Sequence, residues 1–277
     1  MYLSCLLIDV GADPDRPRPA RLWLRNLYHV HQRLCMAFPS PELKTGDPAF
    51  LKPYEPSGFR HVHGPRTAEQ AFLFRIDPQP GGRVVILVQS AVKPDWGYAF
   101  HNARHFLAAD PLIKEFNPRF EMDQRLQFRL VANPTRKIDT KSGPNWRRRH
   151  GRRVPVPVDQ LHEWLNRRAE PSGFALERLT GIQPGYVYFR KPVHDEVTKG
   201  AENAQGENAE QEKRKGQRLR SARYDGILRI TDPARFQQTL VSGIGPAKAF
   251  GFGLLSLCLL YTSPSPRDLS TSRMPSS

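Results

Sequence analysis

"AFLFRIDPQPGGRVVILVQSA", Ala71 to Ala91, sets two apolar runs of strand length on either side of the turn-rich "PQPGG". Val, Ile and Phe suit a pleated surface and Pro and Gly interrupt it, so the spacing predicts a β-hairpin and an antiparallel sheet. Upstream, "YLSCLLIDV" (Tyr2 to Val10) reads as another strand, ended by the Gly/Asp/Pro cluster "GADPDRPRP". Between them Leu24, Leu27, Val30, Leu34 and Phe38 recur at three and four, predicting one helix over 22–38 closed by Pro39. Residues 39–70 are rich in Pro and Gly without a period, as expected of a loop insertion. "GYAFHNARHFLAAD" is less regular, and "RLQFRLVANP" alternates Leu126, Phe128 and Leu130 against Arg125, Gln127 and Arg129 as a strand.

The second half repeats the order. After the weak strand "RVPVPV" come a helix in "VDQLHEWLNRRAE", strands in "FALERL", "YVYFRKP" and "DGILRIT", a helix opened by Asp232 and Pro233, and a strand in "GFGLLSLCLL". The pattern predicts an α+β protein of two tandem ferredoxin-like (β-α-β-β-α-β) domains with antiparallel sheets, 1–137 and 138–260. A single irregular α+β domain is the alternative. The run 195–223, acidic in front and basic behind without apolar period, predicts a flexible insertion. The low-complexity 261–277 reads as a disordered or non-native tail.

The 277 residues carry 42 Lys+Arg against 27 Asp+Glu, a net charge of +15 and a pI near 10.1, the balance of a polyanion binder. No apolar run reaches the roughly 18 residues of a membrane span, so the expectation is a soluble, cytoplasmic protein without a membrane partner. Cys5, Cys35 and Cys258 lie too far apart for a metal knuckle. The pairs His61/His63 and His101/His105 lack a clear third ligand, which disfavours zinc. No Walker or dinucleotide-binding spacing occurs, and no cofactor is expected.

"GIGPAKAFGFGLLSL" (Gly243 to Leu257), "MYLS" at the start, "LYHVHQRL" (Leu27 to Leu34) and "FRLVANPTRK" (Phe128 to Lys137) stand in one order. Together they resemble the CasE family, type I-E CRISPR-associated endoribonucleases that cut repeat RNA. The resemblance implies metal-independent cleavage of a precursor-RNA hairpin by 2′-hydroxyl attack, leaving 2′,3′-cyclic phosphate and 5′-hydroxyl ends. It also implies that the protein remains with the product among the other subunits of a surveillance complex. His31 matches the family's catalytic histidine and Tyr28 its partner tyrosine.

An imidazole transfers protons near neutrality, and residues three apart on a helix lie about 5–6 Å apart at Cβ, close enough to share one phosphodiester. A helix-edge histidine without that function would be an ordinary surface residue. Where some members carry a lysine one turn beyond the histidine this chain has Cys35 and Met36, leaving Arg33 or Lys248 to supply charge. Gly243, Gly245, Gly251 and Gly253 admit close phosphate approach, or simply make a tight helix-to-strand turn. Arg129, Arg136, Lys137, Arg147, Arg148, Arg149, Arg152 and Arg153 form the main basic group, with Arg190 and Lys191 opening a second that includes Arg218 and Arg220. These are expected RNA contacts, against the plainer reading of solvated loops. A non-catalytic RNA-binding subunit of the same fold remains the rival, and a metal nuclease would be separated by a chelator.

Overall fold

The computed structural model describes residues 1–13, 18–38, 72–138, 152–190 and 217–259. The first expected strand forms, and its apolar run alternates in burial: in β1 (Tyr2–Asp9) Ser4, Leu6 and Ile8 are buried and their neighbours partly exposed. β1 pairs antiparallel with β3 (Arg83–Ser90), which completes the expected hairpin with β2 (Phe72–Gln79). Gly81 and Gly82 turn it at φ +72 and +68°. A side chain at Gly82 would meet the backbone of Gly11 at 2.4 Å, so bare backbone is required there.

The fourth strand of this sheet is β4 (Leu112–Glu115), and the spatial order is β2-β3-β1-β4. β4, just beyond the less regular stretch, is a strand the sequence did not announce, because all four residues are exposed and leave no burial pattern. The second sheet, also antiparallel throughout, has the order β10-β5-β9-β8. Its strands are β5 (Arg125–Ala132), β8 (Phe174–Phe189), β9 (Gln217–Ile230) and β10 (Leu255–Leu259).

Two allocations are thereby corrected. "RLQFRLVANP" does not close the first half; as β5 it opens the second sheet, paired with β9 and β10. The segment expected in that place, β7 (Arg152–Pro155), pairs only with β6 (Thr135–Ile138) in a separate two-stranded ribbon. With these changes each half is β-α-β-β-α-β, and its strands lie in the spatial order 4-1-3-2 of a ferredoxin-like unit. "FALERL" and "YVYFRKP" are one strand, β8, bulged between Leu176 and Arg178 and between Leu179 and Gly181. It tolerates Pro184 because it lies at the sheet edge. Residues 217–223, read as part of the flexible run, belong to β9. The insertion 39–70, residues 191–216 and the tail 261–277 lie outside the described residues.

The predicted helix 22–38 is two helices, α1 (Pro19–Leu24) and α2 (Leu27–Cys35). Asn26 leaves the helical region at φ −117°, ψ 98° and caps α2 by accepting from the Tyr28 N–H at 3.2 Å. Leu27, Val30 and Leu34 of α2 bury against Leu6, Ile8, Phe74 and Ile86. In the second half α3 (Leu161–Ala169) and α4 (Pro233–Ser242) cover β5 and β9 through Leu161, Trp164, Leu165, Phe236 and Leu240.

Polar contacts join the halves. Gln89 donates its side-chain amide to the Leu240 carbonyl at 2.6 Å, and the buried Arg75 bonds both Asp77 and the Ser256 hydroxyl. Phe189, from the far end of β8, enters the first core and stacks on Phe250 at 4.1 Å. Among the described residues no helix is long and apolar enough to cross a membrane.

Candidate functional site

The site grows from α2. Its cap, Asn26, also reaches the other half of the chain, where Oδ1 accepts from the Arg190 N–H at 3.0 Å and Nδ2 donates to the Arg190 carbonyl at 2.9 Å. This pair of hydrogen bonds fixes the end of β8, and with it Arg190, at the N-terminus of the helix that carries Tyr28 and His31. His31 is half-buried beside the apolar stripe of Leu27, Val30 and Leu34. Its imidazole stacks on Phe72, with centroids 5.6 Å apart, and on Phe74 at 6.4 Å, and its Nδ1 is shielded from solvent. Phe72 and Phe74 lie 6.2 Å apart, so the imidazole rests against a pair of neighbouring aromatic rings of β2. Tyr28, also half-buried, lies one turn earlier on the same helix.

The glycine-rich segment packs against this helix. α4 ends at Gly243 (φ 71°, ψ 165°), and a short turn over Lys248–Phe250 contacts both α2 and β2. Gly251 follows in the left-handed region at φ +79°. A Cβ there would meet Phe74 at 3.2 Å, the same phenylalanine on which His31 stacks. At Gly243 a Cβ would lie 2.8 Å from the Gly253 carbonyl oxygen; the two backbones cross here, with the Ile244 N–H donating to Gly253 at 3.0 Å. A Cβ at Gly245 would meet the Trp164 ring at 3.2 Å, and one at Gly253 would meet the Ile244 carbonyl oxygen at 2.9 Å and the Lys248 side chain at 3.4 Å. The loop is thus the tight helix-to-strand turn of the plainer reading, and it is also placed beside the histidine. Burial lowers the pKa of Lys248 from the ordinary lysine value, so its ammonium has lost part of its water before any anion arrives.

A basic cleft of about 380 Å³ opens on the second half. Arg136 and Lys137 of β6, Trp164, Arg167 and Arg168 of α3, and Gly243 and Gly245 line it, among others. Trp164 is anchored by donating its indole N–H to the Thr135 carbonyl at 3.2 Å, and the Arg168 guanidinium lies over its ring at 5.7 Å. The β6–β7 register sets Lys137 opposite Arg153, with Arg136 opposite Val154 and Ile138 opposite Arg152. Like charges directly opposed across a ribbon destabilise it, and an anion between them removes that cost.

Two expected contacts are committed elsewhere. Arg33 donates to the Ala99 carbonyl at 2.9 Å and to Asn102 at 2.6 Å, tying α2 to the segment after the Trp96–Ala99 turn, and burial lowers its pKa. Arg129 is held by Asp225 at 2.6 Å, and that hydrogen bond raises its pKa; Asp225 also takes Arg223. Each guanidinium thus already has oxygen partners within the protein, Arg33 more fully buried and Arg129 still 43% exposed. Cys35 is buried and Met36 half-buried, which leaves Lys248 as the charge whose loop touches α2. Arg147, Arg148, Arg149 and Lys191 lie outside the described residues; for Arg152 only the strand backbone is described.

Phe72, Phe74, Asn26, Arg167 and Arg168 join the site without having stood out in the sequence. The only sequence signal for the last two is a basic pair in the final turn of a helix that also carries Trp164. Among the described residues no group of three or more His, Cys, Asp or Glu side chains is arranged to hold a metal ion.

Comparison with known proteins places this geometry. A family model described as "CRISPR associated protein" matches residues 1–258. The chain is 31% identical over 260 residues to the CRISPR-associated endoribonuclease Cse3 of Thermus thermophilus, spanning 93% of this chain and 99% of that protein. It is 25% identical over 266 residues to the Cascade subunit CasE of Escherichia coli K12, spanning 94% and 100%. Among solved structures, Cse3 bound to a 19-nucleotide RNA is similar with a TM-score of 0.62 at 27% identity, covering 93% of this chain and all of that one. A Thermus thermophilus Cse3 bound to an RNA representing a pre-cleavage complex is similar with a TM-score of 0.60 at 25% identity, covering 93% and 98%. The chain therefore belongs to the CRISPR-associated protein family of the CasE (Cse3) type.

Proposed function

We propose that this chain, an endoribonuclease of the CasE type, binds the hairpin of a CRISPR repeat in precursor RNA. It cuts at the 3′ side of the hairpin base, and it stays with the product as a subunit of the surveillance complex. The observation that carries the reading is His31, packed against Phe72 and Phe74 on a helix touched by a glycine-rich turn bearing a partly desolvated lysine. The relatives' names support it: one is an endoribonuclease, another a Cascade subunit.

The ribose 2′-hydroxyl before the scissile bond attacks the adjacent phosphorus. Its proton passes to a base, the P–O5′ bond breaks, and the leaving 5′-oxygen takes up a proton. The products are a 2′,3′-cyclic phosphate and a 5′-hydroxyl, and no external water or metal is consumed. His31 serves one of the two proton transfers, a role that contributes about 10²–10⁴-fold in enzymes of this kind. Tyr28, one turn away, addresses the same phosphodiester, and Lys248 stabilises the charge that builds on the phosphorane. Arg136, Lys137, Arg153, Arg167 and Arg168 hold backbone phosphates rather than read bases, since the major groove of an A-form stem is too narrow for side chains.

The test is incubation of purified protein with candidate repeat hairpins in excess EDTA, followed by analysis of the product ends. Cyclic phosphate ends, with loss of cleavage when 2′-deoxyribose precedes the scissile phosphate, are expected. Cleavage of the deoxy-substituted RNA, or a requirement for divalent metal, would overturn the mechanism.

A further inference from the structure

The outer end of the β8–β9 ribbon has two unlike faces. On one, Val187, Phe189 and Leu219 pack into the first core. On the other, the register sets Tyr186 opposite Arg220 and Tyr188 opposite Arg218, and directly opposed residues of an antiparallel pair share a face. Tyr186 is 44% and Tyr188 59% exposed. The Arg218 guanidinium lies over the Tyr186 ring at 4.2 Å and that of Arg220 at 5.1 Å, with Arg220 also donating to the Tyr186 hydroxyl at 3.0 Å. No Asp or Glu occurs in 181–190 or 217–224. Two residues beyond Tyr188, Arg190 is bonded to the cap of the histidine-bearing helix.

Exposed aromatic rings interleaved with arginines, with no carboxylate among the described residues of these two strand segments and continuous with the candidate active site, match the chemistry that binds unpaired nucleotides. Bases stack on tyrosine rings and guanidinium planes while the arginines offset phosphate charge. A duplex stem presents stackable base faces only at its end, and among the described residues nothing on this face offers an acidic or aliphatic complement to a protein. We infer that the Tyr186–Tyr188–Arg218–Arg220 face is a stacking platform for the single-stranded RNA that flanks the hairpin. The inference rests on the RNA reading above and adds to it a site for the unpaired segment.

The experiment compares a blunt repeat hairpin with the same hairpin carrying a short oligouridine tail at its 5′ or its 3′ side. Full-length protein is used, wild type and with Tyr188→Ala, Tyr188→Phe or Arg218→Gln. For the wild type a tail on one side strengthens binding, and ultraviolet cross-linking of 4-thiouridine in that tail marks the peptide holding Tyr186 and Tyr188. Tyr188→Ala removes about five-fold or more of the tail's gain, the low end of base–aromatic stacking, whereas Tyr188→Phe keeps it. Binding and cleavage of the blunt hairpin stay unchanged in both Tyr188 variants, and Arg218→Gln lowers the tail's gain as Tyr188→Ala does. Three results would overturn the platform: a tail that adds nothing on either side, equal losses for blunt and tailed hairpins, or RNA binding untouched while association with other complex subunits fails. Failure of the wild type to bind even the blunt hairpin would instead remove the RNA reading beneath it.

Discussion

Replacing Gly251 by Ala tests whether the glycine-rich turn and the histidine act as one unit. Gly251 stands at φ +79°, where an L-residue with a Cβ is strained by about 1–2 kcal/mol. Alanine also lowers the entropy of the unfolded chain, which offsets about 0.4–1 kcal/mol of that. The new Cβ lies 3.2 Å from the ring of Phe74, a fully buried residue, so the ring must yield by a few tenths of an ångström. Allowing about 0.5–1 kcal/mol for that compression, the net loss is about 0.5–2.5 kcal/mol, and the melting temperature of a chain this size falls by about 1–4 °C.

Because His31 stacks on Phe74, the displacement reaches the imidazole. Misplacement of a catalytic group by a fraction of an ångström is costly, so single-turnover cleavage should fall by about ten-fold while hairpin affinity holds within a few-fold. Gly181→Ala is the control, since nothing lies within 4 Å of a Cβ there and its φ is not positive. A Gly251→Ala protein that melts lower yet cleaves at the wild-type rate would refute the coupling. One that melts and cleaves as wild type would refute the strain itself.

Other expectations concern the helix cap and the cations. Asn26→Ala removes the cap of α2 and both bonds to the Arg190 backbone, and thermal unfolding should show a loss of about 2–4 kcal/mol together with slower cleavage. Lys248 starts with a pKa lowered by burial, and a phosphate beside it raises that value. Between the free and bound values, then, RNA binding takes up a proton; a ¹⁵N-lysine NMR titration with and without product hairpin should show the rise, and an unchanged Lys248 would remove it from the contact. Arg136→Gln and Arg167→Gln should each reduce the slope of log affinity against log salt by about one, measured with the blunt hairpin, whereas an unchanged slope would place that residue off the backbone.

What could be read from the residues was whatever local chemistry sets. The hairpin 71–91 and the strand at the N-terminus show as apolar runs of strand length bounded by Pro and Gly, and Asp232–Pro233 announces α4. β5 was legible as a strand but not as a member of the second sheet, because its partners in β9 and β10 are ninety or more residues away. β8 looked like two strands since Gly181, Pro184 and Gly185 punctuate its middle, and only pairing with β9 carries it through. The break in the first helix falls at Asn26, a residue whose capping role is ordinary but whose bonds to Arg190 come from the other half of the chain.

At the site, the family motif pointed to Tyr28, His31 and the glycines. It did not reveal that Phe72 and Phe74 hold the imidazole, since that stack forms only when β2 is laid beneath α2. Arg33 illustrates the limit of spacing. Two residues from His31, its guanidinium turns to the Ala99 carbonyl and Asn102, and no periodicity could foretell those partners.

The central claim is that His31 moves a proton in strand scission, and the direct measurement is single-turnover cleavage of a bound repeat hairpin by His31→Ala in excess EDTA. A rate lowered by about 10²-fold or more is predicted, with hairpin affinity within a few-fold of wild type. Cleavage at an undiminished rate, with the hairpin bound equally well, would contradict it.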